Sequence, residues 1–262
     1  MNEKLAHLED VLRRHAPLLV AYSGGVDSTC LLAVAHRTLG PEATGVIADS
    51  PSLPRQALAD ALAVARNLGV RVEVVATGEF SNEDYLSNPP NRCYFCKAEL
   101  FSRMDALARE RGLAAIAYGE NADDPAHLRP GSQAAKEFAV IAPLRLAGLT
   151  KADVRELSRQ LGLPTAEAPA QPCLSSRIPH GTPVTREAID LVERGEAFVR
   201  SLGFRIFRVR FVAGHLSGAL VQVAPAEDAM LQSRRARLID GLREVGFGTV
   251  EIDPTGYRGI SS

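Results

Sequence analysis

One turn constrains the fold of this chain more than any other stretch. The apolar run Leu18-Leu-Val-Ala-Tyr22 reads as a buried strand and ends in Ser23-Gly24-Gly25-Val26-Asp27-Ser28. Apolar residues then recur at helical spacing from Thr29 to Leu39. A glycine turn between strand and helix closes backbone N–H groups around an anion, and the helix N-terminus adds the positive end of its dipole. The GxxxxGK[ST] phosphate loop is excluded, because this turn is shorter and has no lysine. A plain strand-to-helix turn with Ser or Asp as N-cap is the simpler alternative. It would need neither two adjacent glycines nor both polar residues at these offsets.

The rest of the first half repeats the alternation. An amphipathic helix is expected over 3–14, a strand over Ala43–Ala48 and a helix over Pro54–Leu68 with Gly69 as its stop. A strand follows over Arg71–Ala76, a helix over 94–111 and a strand over Ala114–Tyr118. A polar loop from Glu120 to Gln133, a short strand Val140-Ile141-Ala142 and a helix Thr150–Leu161 complete this part. Strands alternating with helices predict an α/β fold with a doubly wound, mostly parallel sheet. Ligands of such sheets lie at the carboxyl ends of the strands, where the glycine turn, Asp49-Ser50 and Gly119-Glu120-Asn121 all fall.

Pro164 to Pro172 holds three prolines and three alanines and reads as a linker. Beyond it the pattern is helix (Thr185–Leu202), strand (Phe204–Phe211), strand (Ala219–Val223), helix (Ala226–Val245) and strand (Thr249–Ile252). The expected domains are therefore 1–163 and a smaller α+β domain, 164–262. No apolar stretch approaches a membrane span, and Met1-Asn2-Glu3-Lys4 does not open a signal peptide, so a cytoplasmic protein is expected. The net charge is −1 and Lys occurs only four times, last at Lys151. That balance disfavours a nucleic-acid binder.

Four cysteines in such a protein point to metal or redox chemistry over disulfides. Cys93-Tyr-Phe-Cys96 opens a helix, and Cys173 follows eighty residues after Cys93. Three thiols can ligate zinc or an iron–sulfur cluster with one position open; the C-x2-C pair alone can be a redox dithiol. Cys30, inside the helix after the glycine turn, reads as core. The acids of Gly119-Glu-Asn-Ala-Asp-Asp124 either hold Mg²⁺ against phosphates, through Asp27, Asp123 and Asp124, or build an Asx turn. Lys151 and Arg155 share a helix face and can reach one anion together, or simply be solvated. Arg208 and Arg210 share one face of a strand as an anion fork or a surface ladder. Glu196 nearby is a base or an ion-pair partner.

The turn Ser-Gly-Gly-x-Asp-Ser resembles the PP-loop of the ATP pyrophosphatase superfamily, of adenine nucleotide alpha hydrolase-like fold. The wider pattern resembles the LarE-type ATP-dependent sacrificial sulfur transferases. It runs through Arg92-Cys-Tyr-Phe-Cys-Lys97, Tyr118-Gly-Glu-Asn-Ala-Asp-Asp124, Leu128-Arg-Pro-Gly131 and Leu149-Thr-Lys-Ala-Asp-Val-Arg155. It continues in Pro172-Cys-Leu-Ser-Ser-Arg-Ile-Pro-His-Gly181 and Phe207-Arg-Val-Arg210. The resemblance implies an enzyme that adenylylates a carboxylate of pyridinium-3,5-biscarboxylic acid mononucleotide and replaces oxygen by sulfur, in making a nickel-pincer nucleotide. It implies ATP and Mg²⁺ bound by Ser23, Gly24, Gly25, Asp27, Ser28, Asp49, Ser50, Gly119, Asn121 and Arg177. Sulfur transfer falls to Cys173, Glu196, Arg208 and Arg210. In single-cysteine members the residue matching Cys173 gives up its own sulfur. The additional Cys93 and Cys96 make this chain resemble members that carry a [4Fe-4S] cluster with an extra sulfide. A sulfide or sulfur donor and a homo-oligomer are implied as well.

One departure stands out. Ala219-Leu220-Val221-Gln222 replaces the family's Ala-Arg-Ile-Glu, which removes a carboxylate and puts an accessory metal or phosphate site at a subunit interface in doubt. Two other functions fit the phosphate turn alone: a tRNA thiolase, which would want a basic surface, and a non-catalytic nucleotide sensor.

Overall fold

The computed structural model describes residues 1–125, 130–214 and 217–257. Leu128 and Arg129 of the Leu128–Gly131 motif lie outside the described residues. The chain divides into two compact units, Met1–Glu79 with Asn91–Pro169, and Phe80–Pro90 with Ala170–Ser262.

The first unit contains α1 (Asn2–Arg14), β1 (Leu18–Ala21), α2 (Val26–Leu39), β2 (Ala43–Asp49), α3 (Arg55–Asn67) and β3 (Val72–Ala76). The short helix α4 (Glu83–Leu86) belongs to the second unit. The first unit resumes with α5 (Arg92–Arg111), β4 (Ala115–Tyr118), α6 (Pro130–Glu137), α7 (Pro143–Leu146) and α8 (Lys151–Gln160). The four strands pair in the order β3-β2-β1-β4, all parallel, with Leu18 opposite Ala43 on one side and Ala115 on the other.

Alternate residues of β1 enter different cores. Leu18 and Val20 pack with Leu8, Leu12, Leu31, Ala61 and Val154 from α1, α2, α3 and α8. Leu19 packs with Val46, Phe101, Met104 and Ala134 from β2, α5 and α6. A strand whose two faces are both covered needs apolar residues at successive positions, which is why Leu18-Leu-Val-Ala has no polar alternation. The sheet is doubly wound.

Three expectations for this unit need correction. Val140–Ala142 is not a strand; Ile141 makes one parallel bridge to Ala117, and Pro143 then opens α7. The polar stretch up to Gln133 is partly helical, because α6 starts at Pro130, a position that needs no N–H donor. The Pro164–Pro172 stretch is not wholly linker, since Thr165 and Ala166 are buried in the first unit.

The second unit comprises residues 80–90, α9 (Arg186–Ser201), β5 (Phe207–Val212), β6 (Gly218–Val223), α10 (Asp228–Val245) and β7 (Thr249–Ile252). β5 and β6 are antiparallel and β7 adds to β6 in parallel. β5 starts at Phe207, three residues later than the expected Phe204. The 80–90 segment is anchored by polar bonds that are remote in sequence. Tyr85 Oη meets Ser175 Oγ at 2.8 Å, and the fully buried Asn88 donates from Nδ2 to the carbonyls of Ile178, Pro179 and Thr182.

Candidate active site

The glycine turn leaves β1 and becomes α2 with Gly25 as N-cap. Gly24 has φ +75°, and a Cβ there would lie 2.7 Å from Ala61 Cβ of α3. Only glycine meets both demands. Ser23 and Ser28 brace the turn: Ser23 N donates to Ser28 Oγ at 3.1 Å, and the two hydroxyls are 3.0 Å apart. Gly119, just past β4, abuts the turn so closely that a Cβ would fall 2.8 Å from Ser28 N.

Asp27 occupies the first turn of α2, where a carboxylate is favoured by the helix dipole. Its Oδ2 is paired with Lys151 Nζ at 2.6 Å, and its Oδ1 accepts from Asn121 Nδ2 at 3.2 Å. Lys151 opens α8, and its backbone N–H donates to Asp123 Oδ2 at 2.7 Å. Asp123 N donates to Asn121 Oδ1, and Asn121 N to Asp124 Oδ2. The acidic loop after β4 is therefore an Asx turn that also caps α8, and it joins the glycine turn through Asn121. Lys151 and Arg155 do not converge. Arg155 turns to the carbonyls of Ala166 and Ala168 and fastens the chain after α8.

Glu120, beside this loop, is buried in a closed network. It accepts from Tyr118 Oη and from Ser132 Oγ (2.7 Å) and pairs with Arg145 at 3.4 Å. Although burial opposes the charge, these donors hold the Glu120 carboxyl below its ordinary value. The Tyr118 phenol is pushed well up by burial and by Glu120. At the end of β2, Asp49 pairs with Arg55, which also donates to the Ser50 carbonyl. Ser50 Oγ donates to Glu79, a buried acid just past β3.

None of the four cysteines, all described, is in a disulfide. Cys30 is fully buried, and burial pushes its thiol up to about 12, so it is a core residue. Cys93 is exposed and Cys96 half-buried, one turn apart at the start of α5. Cys173 is half-buried in the second unit. Among the described residues no group of three or more His, Cys, Asp or Glu is placed to hold a metal ion. Thiolates are the donors that iron–sulfur clusters take; Cys93 and Cys96 belong to the first unit and Cys173 to the second.

The Cys173 segment is held by guanidiniums. Arg177, 4 % exposed, forms a bidentate pair with buried Glu196 at 2.9 and 3.1 Å. Its Nη1 donates to the carbonyls of Pro172 (2.6 Å) and Cys173 (3.0 Å). Arg208 donates to the Ala170 carbonyl at 3.2 Å and stacks over Tyr257. Arg210 donates to the Ser176 carbonyl at 3.3 Å and to Gln222 Oε1 at 2.6 Å. Burial and the neighbouring Arg177 lower Arg208 from its ordinary value. Glu196 also accepts from Val209 N. It is an ion-pair partner here, with its oxygens committed. Gln222 passes the chain on to Asp253 at 2.7 Å, a carboxylate one hydrogen bond beyond the one that the sequence lacks.

Ser23 to Ser28, Asn121 and Asp123 are joined by hydrogen bonds in one cluster. Nothing in the sequence marks Glu79, or Lys151 as the partner of Asp27, because both relations join residues distant in the chain. No matching family model was found. The chain is 39 % identical over 98 % of its length to an uncharacterized protein of Synechocystis sp., covering 96 % of that protein. It is 33 % identical over 97 % of its length to the pyridinium-3,5-bisthiocarboxylic acid mononucleotide synthase of Lactiplantibacillus plantarum, covering 90 % of it. Over 64 % of the chain it is 30 % identical to a tRNA-specific 2-thiouridylase of Syntrophus aciditrophicus, of which it spans 54 %.

Proposed function

Since the chain belongs to the LarE-type family of PP-loop enzymes, that of the pyridinium-3,5-bisthiocarboxylic acid mononucleotide synthase, we propose that it sulfurates a carboxylate of pyridinium-3,5-biscarboxylic acid mononucleotide at the expense of ATP. A carboxylate oxygen of the acceptor attacks the α-phosphorus. The bond to the β-phosphate oxygen breaks and pyrophosphate leaves, giving an acyl adenylate. A sulfur nucleophile then adds to the acyl carbon, and AMP departs with the electrons of the C–O bond.

The turn from Ser23 to Ser28 binds the departing phosphates through backbone N–H groups and the α2 dipole. Asp27 would hold the Mg²⁺ that accompanies ATP, and Lys151 would turn from Asp27 to the phosphates. Arg208 and Arg210 dock the acceptor's anionic groups, with Arg177 and Glu196 positioning the segment. A [4Fe-4S] cluster on Cys93, Cys96 and Cys173 would supply an open iron for an extra sulfide. In the alternative route the Cys173 sulfur itself is transferred. Its Cβ–S bond then breaks as the Cα proton is lost, leaving dehydroalanine.

The observation that carries the reading is Cys173 itself: a half-buried thiol on a segment gripped by three guanidiniums. Incubation with ATP and the acceptor should release pyrophosphate and a product heavier by the exchange of oxygen for sulfur. Release of ADP would reject it. Anaerobic reconstitution decides the sulfur source: iron should bind the wild type and fail to bind Cys93→Ala. Equal iron in both, with loss of sulfur from Cys173 by mass, would favour the sacrificial route.

A further inference from the structure

We propose that Glu79 and Thr77, just past β3, read the base of the nucleotide, with Glu79 Oε2 accepting from the exocyclic amino group of adenine. This rests on the reading that the glycine turn holds ATP. Glu79 is 2 % exposed, and its Oε1 accepts from Ser50 Oγ. Among the described residues, its buried Oε2 has no hydrogen-bond partner, and neither has the buried Thr77 Oγ1 two residues earlier. A buried carboxylate oxygen without a donor is costly, so its place in the fold calls for a donor from outside the chain.

The topology supplies the distance. Phosphates at the turn after β1 lie beside β2 and two strands from β3 in the order β3-β2-β1-β4. At about 4.8 Å per strand the carboxyl end of β3 is about 10 Å away, a span suited to a nucleoside phosphate laid across the strand ends. On the other side, beyond β4, both oxygens of Glu120 are taken by Tyr118 and Ser132. Among the described residues, the buried carboxylate oxygen without a donor is on the β3 side.

An acceptor-only carboxylate selects the base. Adenine presents an amino donor at the six position, whereas hypoxanthine and guanine present an oxygen there, which a carboxylate repels. The Thr77 hydroxyl, both donor and acceptor, suits the adjoining ring nitrogen.

The test uses the intact protein, calorimetry and non-hydrolysable ATP and ITP analogues. Wild type should bind the ATP analogue at least about tenfold more tightly than the ITP analogue. In Glu79→Met the ratio should fall to about one, chiefly through weaker ATP binding. Equal affinities in the wild type overturn the proposal whatever the variant does. An unchanged ratio in a folded Glu79→Met, or equal losses for both nucleotides, overturns it too, the latter making Glu79 a scaffold residue. No binding of either analogue to wild type would instead sink the ATP reading of the glycine turn.

Discussion

Glu196 and Arg177 meet across α9 and the turn after Cys173, both buried, so removing one partner leaves a charge without its counterion. Glu196→Ala should cost about 3–5 kcal/mol in denaturant unfolding of the protein. It should also make the Cys173 segment more susceptible to proteolysis, since Arg177 would lose the carboxylate that aims it at the Pro172 and Cys173 carbonyls. Gly24→Ala should destabilise by at least about 1–3 kcal/mol and abolish nucleotide binding, because positive φ and the Ala61 contact both oppose a methyl group. Calorimetric titration with an ATP analogue checks it. The role of Gly24 was legible in the sequence, since a strand, two glycines and a helix carry it within a few residues. The Arg177–Glu196 pair was not, since its partners lie 19 residues apart and come together only through packing. Glu79 left even less trace: nothing around it marks an isolated acid after a strand as buried.

Among the elements, α8 shows local chemistry at its clearest. Thr150 Oγ1 accepts from Asp153 N, and Asp153 accepts from Thr150 N, a reciprocal cap readable from Thr-x-x-Asp. What the sequence did not disclose is Lys4, which reaches Asp153 from α1 at 2.6 Å. Lys4 and then Thr150 lower the Asp153 carboxyl from 3.8 to about 2. A depressed carboxylate contributes stability that is complete above its unfolded value and is lost as pH falls through the folded one. Wild type should therefore lose more stability than Asp153→Asn between about pH 4 and pH 2, and at neutral pH the variant should be weaker by about 1 kcal/mol. Unfolding curves across that range check both. The helix α6 was hidden for the opposite reason. Pro130-Gly131-Ser132 reads as a loop, yet Pro suits a first turn, and at Gly131 a Cβ would fall 2.6 Å from the Lys97 stem.

For the whole molecule, the alternation of strands and helices made the doubly wound sheet legible, whereas the membership of residues 80–90 in the second unit was not. That membership depends on one asparagine and one tyrosine whose partners lie 90 residues or more away. A net charge of −1 gives little for a phosphate backbone to hold. The protein should elute from immobilised tRNA at physiological salt, and retention that falls steeply with salt would favour an RNA thiolase. The guanidinium grip on the Cys173 segment has a thermodynamic corollary. Arg208 and Arg210 cannot give the same donors both to main-chain carbonyls and to an incoming anion. Docking and loosening of the segment are then linked, and each shifts the other by the same factor. Inorganic phosphate should accelerate alkylation of Cys173, read by peptide mass, while leaving Cys93 unchanged. In Arg208→Gln the segment should already be loose, and phosphate should add nothing. On that linkage the half-buried Cys173 thiol would be held back from reaction until the anion that the arginines dock arrives, and that anion would release it.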